Sequence, residues 1–203
     1  MSLVGASISA DIARNVVAGE QPTTGIKQRI LVLNSATWAS ATDDATNPES
    51  LVTGITTNAG TSGFILEGIL NKDWIQRNST SLNSDDSTPG FNHGITGIRI
   101  LSPTQEVRAQ VMRMHQSGDV FRIITEDEYT VTDKNDAFKL HGQKYGLIIP
   151  DGGLIDNSAE NDGSMVLSFQ SFRKEPYGPK SVVIGGSYAN TSLAIWTNKL
   201  PGS

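Results

Sequence analysis

One short helix stands alone in a chain otherwise patterned for strands, and that order directs the chain to a mainly β fold. Ser102-Pro103-Thr104-Gln105 opens the helix and Gly118 closes it. Ser102 reads as the N-cap, Pro103 as the first helical residue and Gln105 as the far side of a capping box. Val107, Val111 and Met114 recur at i, i+4 and i+7, one apolar stripe over an expected helix of about 102–117. Met112 points well away from that stripe. It is either an ordinary exposed methionine or a point of contact with a neighbouring subunit.

The flanking segments read as strands and turns. Arg29 to Leu33 has the Ile, Leu and Val content of a buried strand. Ser35 to Ser50 is small and polar, with a turn at Asn47-Pro48. Leu51–Thr57 and Phe64–Leu70, joined at Asn58-Ala59-Gly60, are expected to form a hairpin. Asn71 to Gly90 reads as a long polar loop, with Trp74 and Ile75 near its base. Phe91 to Leu101 is a strand whose alternation slips at Gly97, the mark of a bulge.

Beyond the helix, Val120–Thr125, Tyr129–Thr132 and Ala137–Gly142 read as strands, the last two joined tightly through Asp133 to Asp136. Tyr145–Ile149 follows, then a turn at Pro150 to Gly153. In Ser164–Phe172, Met165, Leu167 and Phe169 face one way and Ser168 and Gln170 the other, as in a sheet with one buried face. Ser181–Ile184 and Ser192–Trp196 are short candidate strands. The expected organisation is an N-terminal arm over 1–27, a β domain over 28–184 with its long loop at 71–90, and a C-terminal segment over 185–203.

Composition narrows the function classes. Of 203 residues, 18% are charged, and glycine, serine, threonine and asparagine are plentiful, as suits turns and strands. The net charge is −5 with no dense Lys/Arg run, so the chain lacks the basic face of a protein that grips nucleic acid. There is no cysteine, which excludes disulfides and thiolate metal sites. The opening residues show no basic n-region or apolar core, so no secretory leader is expected. No apolar run approaches the roughly 20 residues of a membrane span.

No constellation gathers catalytic groups. His93 and His141 fall on strands and His115 late in the helix, without the short spacing of a metal-binding motif. Asp43-Asp44, Asp85-Asp86 and the Asp156 to Asp162 stretch read as solvated turn residues, only loosely like a calcium loop. There is no GxSxG elbow and no phosphate-binding glycine loop. No catalytic group, cofactor or metal is expected, and the chain reads as a non-enzyme.

A resemblance enters through Leu51-Val52-Thr53-Gly54-Ile55, Gly63-Phe64-Ile65-Leu66-Glu67-Gly68 and Ile98-Arg99-Ile100-Leu101-Ser102-Pro103-Thr104-Gln105-Glu106-Val107. Ala137-Phe138-Lys139-Leu140-His141-Gly142 and Tyr145-Gly146-Leu147 complete it. In order and texture these segments, within Ala45 to Ile149, resemble bacteriophage tail tube and related virion structural proteins of the Bacteroidetes-infecting type. The likeness covers about half the chain.

The resemblance implies a β-sandwich or β-barrel with one flanking helix, built into hexameric rings that stack around a DNA channel. The 71–90 loop would reach the next ring and residues 1–27 would clasp a neighbour. DNA would be lumen cargo rather than a bound ligand. Other tail or connector proteins would be partners, and the location would be the virion with no membrane contact. Trp74, Ile75 and Phe91 are the expected ring-to-ring contacts, with Met112 a further interface residue, because aromatic anchors commonly dominate interfaces. The alternatives are a head–tail connector, a tail terminator, a capsid decoration protein, or a carbohydrate-binding β-sandwich module of a receptor-binding protein.

Overall fold

In a computed structural model, residues 26–67, 77–83, 90–100, 103–127, 136–156 and 164–201 are described. The N-terminal arm up to residue 25, Trp74, Ile75 and the expected strand 129–132 lie outside them. The chain is mainly β. Its strands are β1 (Ile26–Leu33), β2 (Trp38–Asp43), β3 (Leu51–Thr57), β4 (Phe64–Glu67), β5 (Arg77–Asn83) and β6 (Gly90–Ile100). After helix α1 (Gln105–Gln116) come β7 (Arg122–Asp127), β8 (Phe138–His141), β9 (Leu147–Ile148), β10 (Leu154–Ile155), β11 (Met165–Ser171) and β12 (Lys180–Val182). A short helix α2 (Tyr188–Ser192) and a π-helical turn, Leu193–Thr197, follow.

The strands form a seven-stranded sheet in the order β2-β3-β12-β8-β7-β1-β4 and a second sheet in the order β10-β11-β6-β5, with β9 also on β11. Neither closes on itself among the described residues, so the architecture is sandwich-like and not a closed barrel. The core between the sheets joins Ile30, Val32 and Ile123 of the first to Ile95, Ile98, Met165, Leu167 and Phe169 of the second, with Val111 of α1. A second core lies on the opposite face of the first sheet. There Leu31, Leu33, Ile124, Phe138 and Leu140 meet Ile195, Trp196 and Leu200 of the C-terminal segment. The apolar run of β1 follows directly, because a strand buried on both faces loses its polar alternation.

Several sequence expectations hold. β11 buries Met165, Leu167 and Phe169. The β6–β11 ladder shifts register between the Ile98↔Leu167 and Ile95↔Phe169 pairs, and Gly97 in that gap has φ of 78°. Val107 and Met114 pack with Val111 on the inter-sheet core.

Other expectations are corrected. The helix is capped by Thr104, whose hydroxyl accepts from the Val107 N–H at 3.3 Å, so Pro103 precedes the cap and Ser102 is not the N-cap. Gly118 closes the helix as expected, just past the Ser117 C-cap, with the left-handed φ of 60° that favours glycine there. Among the described residues, Leu51–Thr57 does not pair with Phe64–Glu67. β3 pairs antiparallel with β2 and parallel with β12, while β4 pairs with β1 at the far end of the sheet. Ile65 and Leu66 pack on opposite cores, which suits a place beside two-faced β1.

The segment read as a polar turn region holds β2, whose residues are exposed or half-buried, and its Asn47-Pro48 turn is the β2–β3 corner. The 71–90 stretch is not one loop, because β5 runs along β6 from Arg77↔Thr96 to Asn83↔Gly90. Its side chains are almost all polar, so the backbone ladder, not an apolar pattern, defines it. β8 pairs with β7, Ile124 opposite Leu140. Ser192–Trp196 is helical, with Ser187 as N-cap accepting from the Asn190 N–H at 3.2 Å.

Candidate functional site

Of the expected interface residues, Trp74 and Ile75 lie outside the described residues, and Phe91 and Met112 lie within them. Phe91 is half-buried on β6 and exchanges two 2.8 Å backbone hydrogen bonds with Glu175. Met112 is half-buried and packs against the inter-sheet core, because a helix lying on a sheet shelters more than its central stripe. Phe91 is not a member of that core.

The structure instead gathers polar groups around a cleft of about 270 Å³. One wall is β2, with Trp38, Ser40 and Asp43. The 143–144 turn supplies Gln143 and Lys144, and the strap leading into β12 supplies Glu175, Tyr177 and Lys180. His93 and Leu140 form the floor.

Each charged group here has a local reason for its place. Lys180 begins β12 and is only 3% exposed, and its ammonium donates to Asp43 Oδ1 at 2.9 Å and to the Pro48 carbonyl at 2.6 Å. Asp43 Oδ1 also accepts from Gln143 Nε2 at 2.8 Å. Asp44, by contrast, is the expected turn residue, accepting from the Thr46 and Asn47 N–H groups. Glu175 is 2% exposed, and its carboxylate accepts the N–H groups of Lys144, Tyr145 and Gly146 at 2.7 to 3.0 Å. Gly146 has φ of +77°, and an added Cβ would lie 2.3 Å from Val120 Cγ1, so only glycine lets this turn close.

His93 is held by backbone at both ring nitrogens. Nδ1 accepts from the Gly142 N–H at 3.1 Å, which fixes the proton on Nε2, and Nε2 donates to the Tyr177 carbonyl 3.0 Å away. Burial pushes its pKa down, against the opposing pull of that carbonyl and of Glu175. His141 packs edge-on against His93 with ring centroids 5.8 Å apart. Burial, reinforced by His93 and Lys139, pushes its pKa down to about 3. No sequence spacing pairs these two histidines, which lie on β6 and β8. They meet because β6 and β8 lie in facing sheets and turn these residues inward.

Two neutral histidines do not make a metal site, and no group of three or more His, Asp or Glu with metal-binding geometry occurs among the described residues. Asp156 pairs with Arg108 of α1, which ties the helix to the end of β10. His93 offers no free nitrogen, and the buried Glu175 carboxylate is turned onto three backbone amides, so neither is placed to abstract a proton from a ligand. What remains for a ligand is an aromatic wall and a few hydrogen-bonding atoms.

Sequence reasoning missed Asp43, Glu175 and Lys180 as partners. No spacing signals them, since each depends on contacts made across more than 25 residues. Comparisons with family models, with curated proteins and with solved structures found no match for this chain.

Proposed function

We propose that this protein is a non-enzymatic structural subunit that assembles with copies of itself, in the manner of the phage tail tube proteins its sequence resembles. The observation that carries this reading is the state of one sheet edge. Among the described residues β4 pairs only with β1, and Phe64 on it is 57% exposed. An edge strand presents unpaired N–H and C=O groups and is a template for another chain. A large apolar side chain there is costly in a monomer and useful in an assembly.

The other end of that sheet behaves differently. β2 is bulged at two places against β3, which discourages pairing. One guarded edge and one open edge suit directional association. By the resemblance, the copies would close into hexameric rings around a channel. DNA would be cargo, other tail or connector proteins partners, and the virion the location. The net charge of −5 accords with a channel that DNA slides past, because like charges repel.

Light scattering after size exclusion, with negative-stain imaging across a concentration series, tests this. Rings or stacked tubes with a central hole are the expected result. A monomer at every concentration overturns it.

A further inference from the structure

The cleft lies against β2, at the opposite end of the first sheet from β4. The geometry points to a binding subsite there for a single neutral, polyhydroxylated ring, the chemistry of one pyranose of a glycan. Size is the first argument. At about 270 Å³ the cleft lies just under the roughly 300 Å³ at which pockets for larger ligands begin, so it suits one ring and not a chain.

Charge is the second. Asp43 and Lys180 neutralise each other, and the Lys180 ammonium also lies 4.9 Å from the Tyr177 ring centroid. Glu175 is occupied by three backbone amides, and the Lys144 ammonium lies over the Tyr145 ring. Of the charged lining residues, Asp43 and Lys180 cancel and Glu175 is turned onto backbone amides, so the lining favours a neutral ligand over an ion.

The surface that remains is the third argument. Trp38 and Tyr177 both line the cleft, and Tyr177 is 37% exposed. The C–H faces of a pyranose are apolar and fit against aromatic rings. Its hydroxyls donate and accept, and they need convergent partners. Both bonds to Asp43 arrive at Oδ1, so among the described residues Oδ2 remains open as an acceptor. Gln143 uses its amide nitrogen on Asp43, which orients its carbonyl oxygen as a second acceptor. The Ser40 hydroxyl adds a donor-acceptor.

Saturation-transfer difference NMR on the full chain tests the site and works equally on a monomer or a large assembly, so its result is separate from the assembly proposal. The probes are the methyl glycosides of glucose, galactose, mannose, N-acetylglucosamine and fucose, with glucuronic acid and glucosamine as charged controls. At least one neutral glycoside is expected to receive saturation at its ring C–H protons. Tyr177→Ala should weaken its binding at least about tenfold, and Gln143→Ala should weaken it as well, while Tyr177→Phe retains it. Circular dichroism of each variant checks that the fold is kept. No transfer to any neutral glycoside, transfer to the charged sugars alone, or binding unchanged in both alanine variants overturns the proposal.

Discussion

Lys180 and Asp43 form one pair in two very different environments, and the asymmetry decides what each mutation does. Lys180 is 3% exposed at its side chain and Asp43 37%. Removing Asp43 strands a buried ammonium on the Pro48 carbonyl, so Asp43→Ala should cost about 3 kcal/mol. Removing Lys180 leaves a carboxylate that water reaches, so Lys180→Met should cost under about 1 kcal/mol. Urea unfolding of both variants checks the order, and equal losses would refute it. The histidines set the response to acid. His93 and His141 have folded pKa values below the ordinary 6.5, about 3 for His141, so below 6.5 the unfolded chain binds more protons and stability falls. Asp127 works the other way, because burial raises its pKa from 3.8 to about 6, and acidification between those values favours the folded state. Stability should therefore begin to fall below 6.5, more gently between 6 and 3.8, and Asp127→Asn should steepen that middle range. Urea midpoints measured across that pH series read the slopes directly.

At the scale of elements, the C-terminal segment is held to the first sheet by one buried carboxylate. Glu126 of β7 accepts from the Tyr188 hydroxyl at 2.6 Å and from Trp196 Nε1 at 2.8 Å, while the Arg29 guanidinium lies over the Trp196 ring. The chain end is pinned further where the Thr57 hydroxyl donates to the Leu200 carbonyl and the Gly63 N–H to Lys199, two residues with positive φ. Glu126→Ala removes the acceptor of the buried Trp196 Nε1 and a hydrogen bond to the half-buried Tyr188 hydroxyl and should cost about 2 kcal/mol, with Glu126→Gln less harmful. The Trp196 fluorescence should shift red in the alanine variant, and an unchanged spectrum and midpoint would sink the account. This segment also shows what the sequence makes legible. Ser187 as a cap, followed by Tyr188, Thr191 and Ile195 at i, i+3 and i+7, is a helical signal that the short Ser192–Trp196 window hides. The strongly alternating β11 and the striped α1 are readable because each faces one core. β2 and β5 are not, because backbone ladders hold them and their side chains are mostly polar. The β4–β1 pairing is illegible for another reason: a strand's partner is a global choice, and the nearer hairpin is only a local one. The cleft shares that limit, since its walls come from segments more than 130 residues apart.

For the whole molecule, the contrast between the two outer edges of the first sheet is where the assembly proposal can be tested. The first sheet is buried on both faces, by the second sheet with α1 and by the C-terminal segment, so further growth in the described structure is open only sideways. Sideways growth at β2 is discouraged by its bulges, whereas β4 offers Phe64 beside a ladder that is unpaired among the described residues. Ile155, 44% exposed on edge strand β10, gives the second sheet a smaller counterpart. Association at β4 would add backbone hydrogen bonds and bury Phe64 together, and a charge at that point should oppose both. Phe64→Lys places a lysine where natural edge strands use one to prevent pairing. Because Phe64 is mostly exposed, the folded monomer should lose no more than about 0.5 kcal/mol. Its self-association should weaken at least about tenfold, read as a shift of the oligomer transition to higher concentration in light scattering. Ile155→Lys is the comparison, expected to shift the transition less because β10 has only two residues to pair. A Phe64→Lys protein that assembles at the same concentration as the unmodified chain would place the contact elsewhere and leave the open edge without a function.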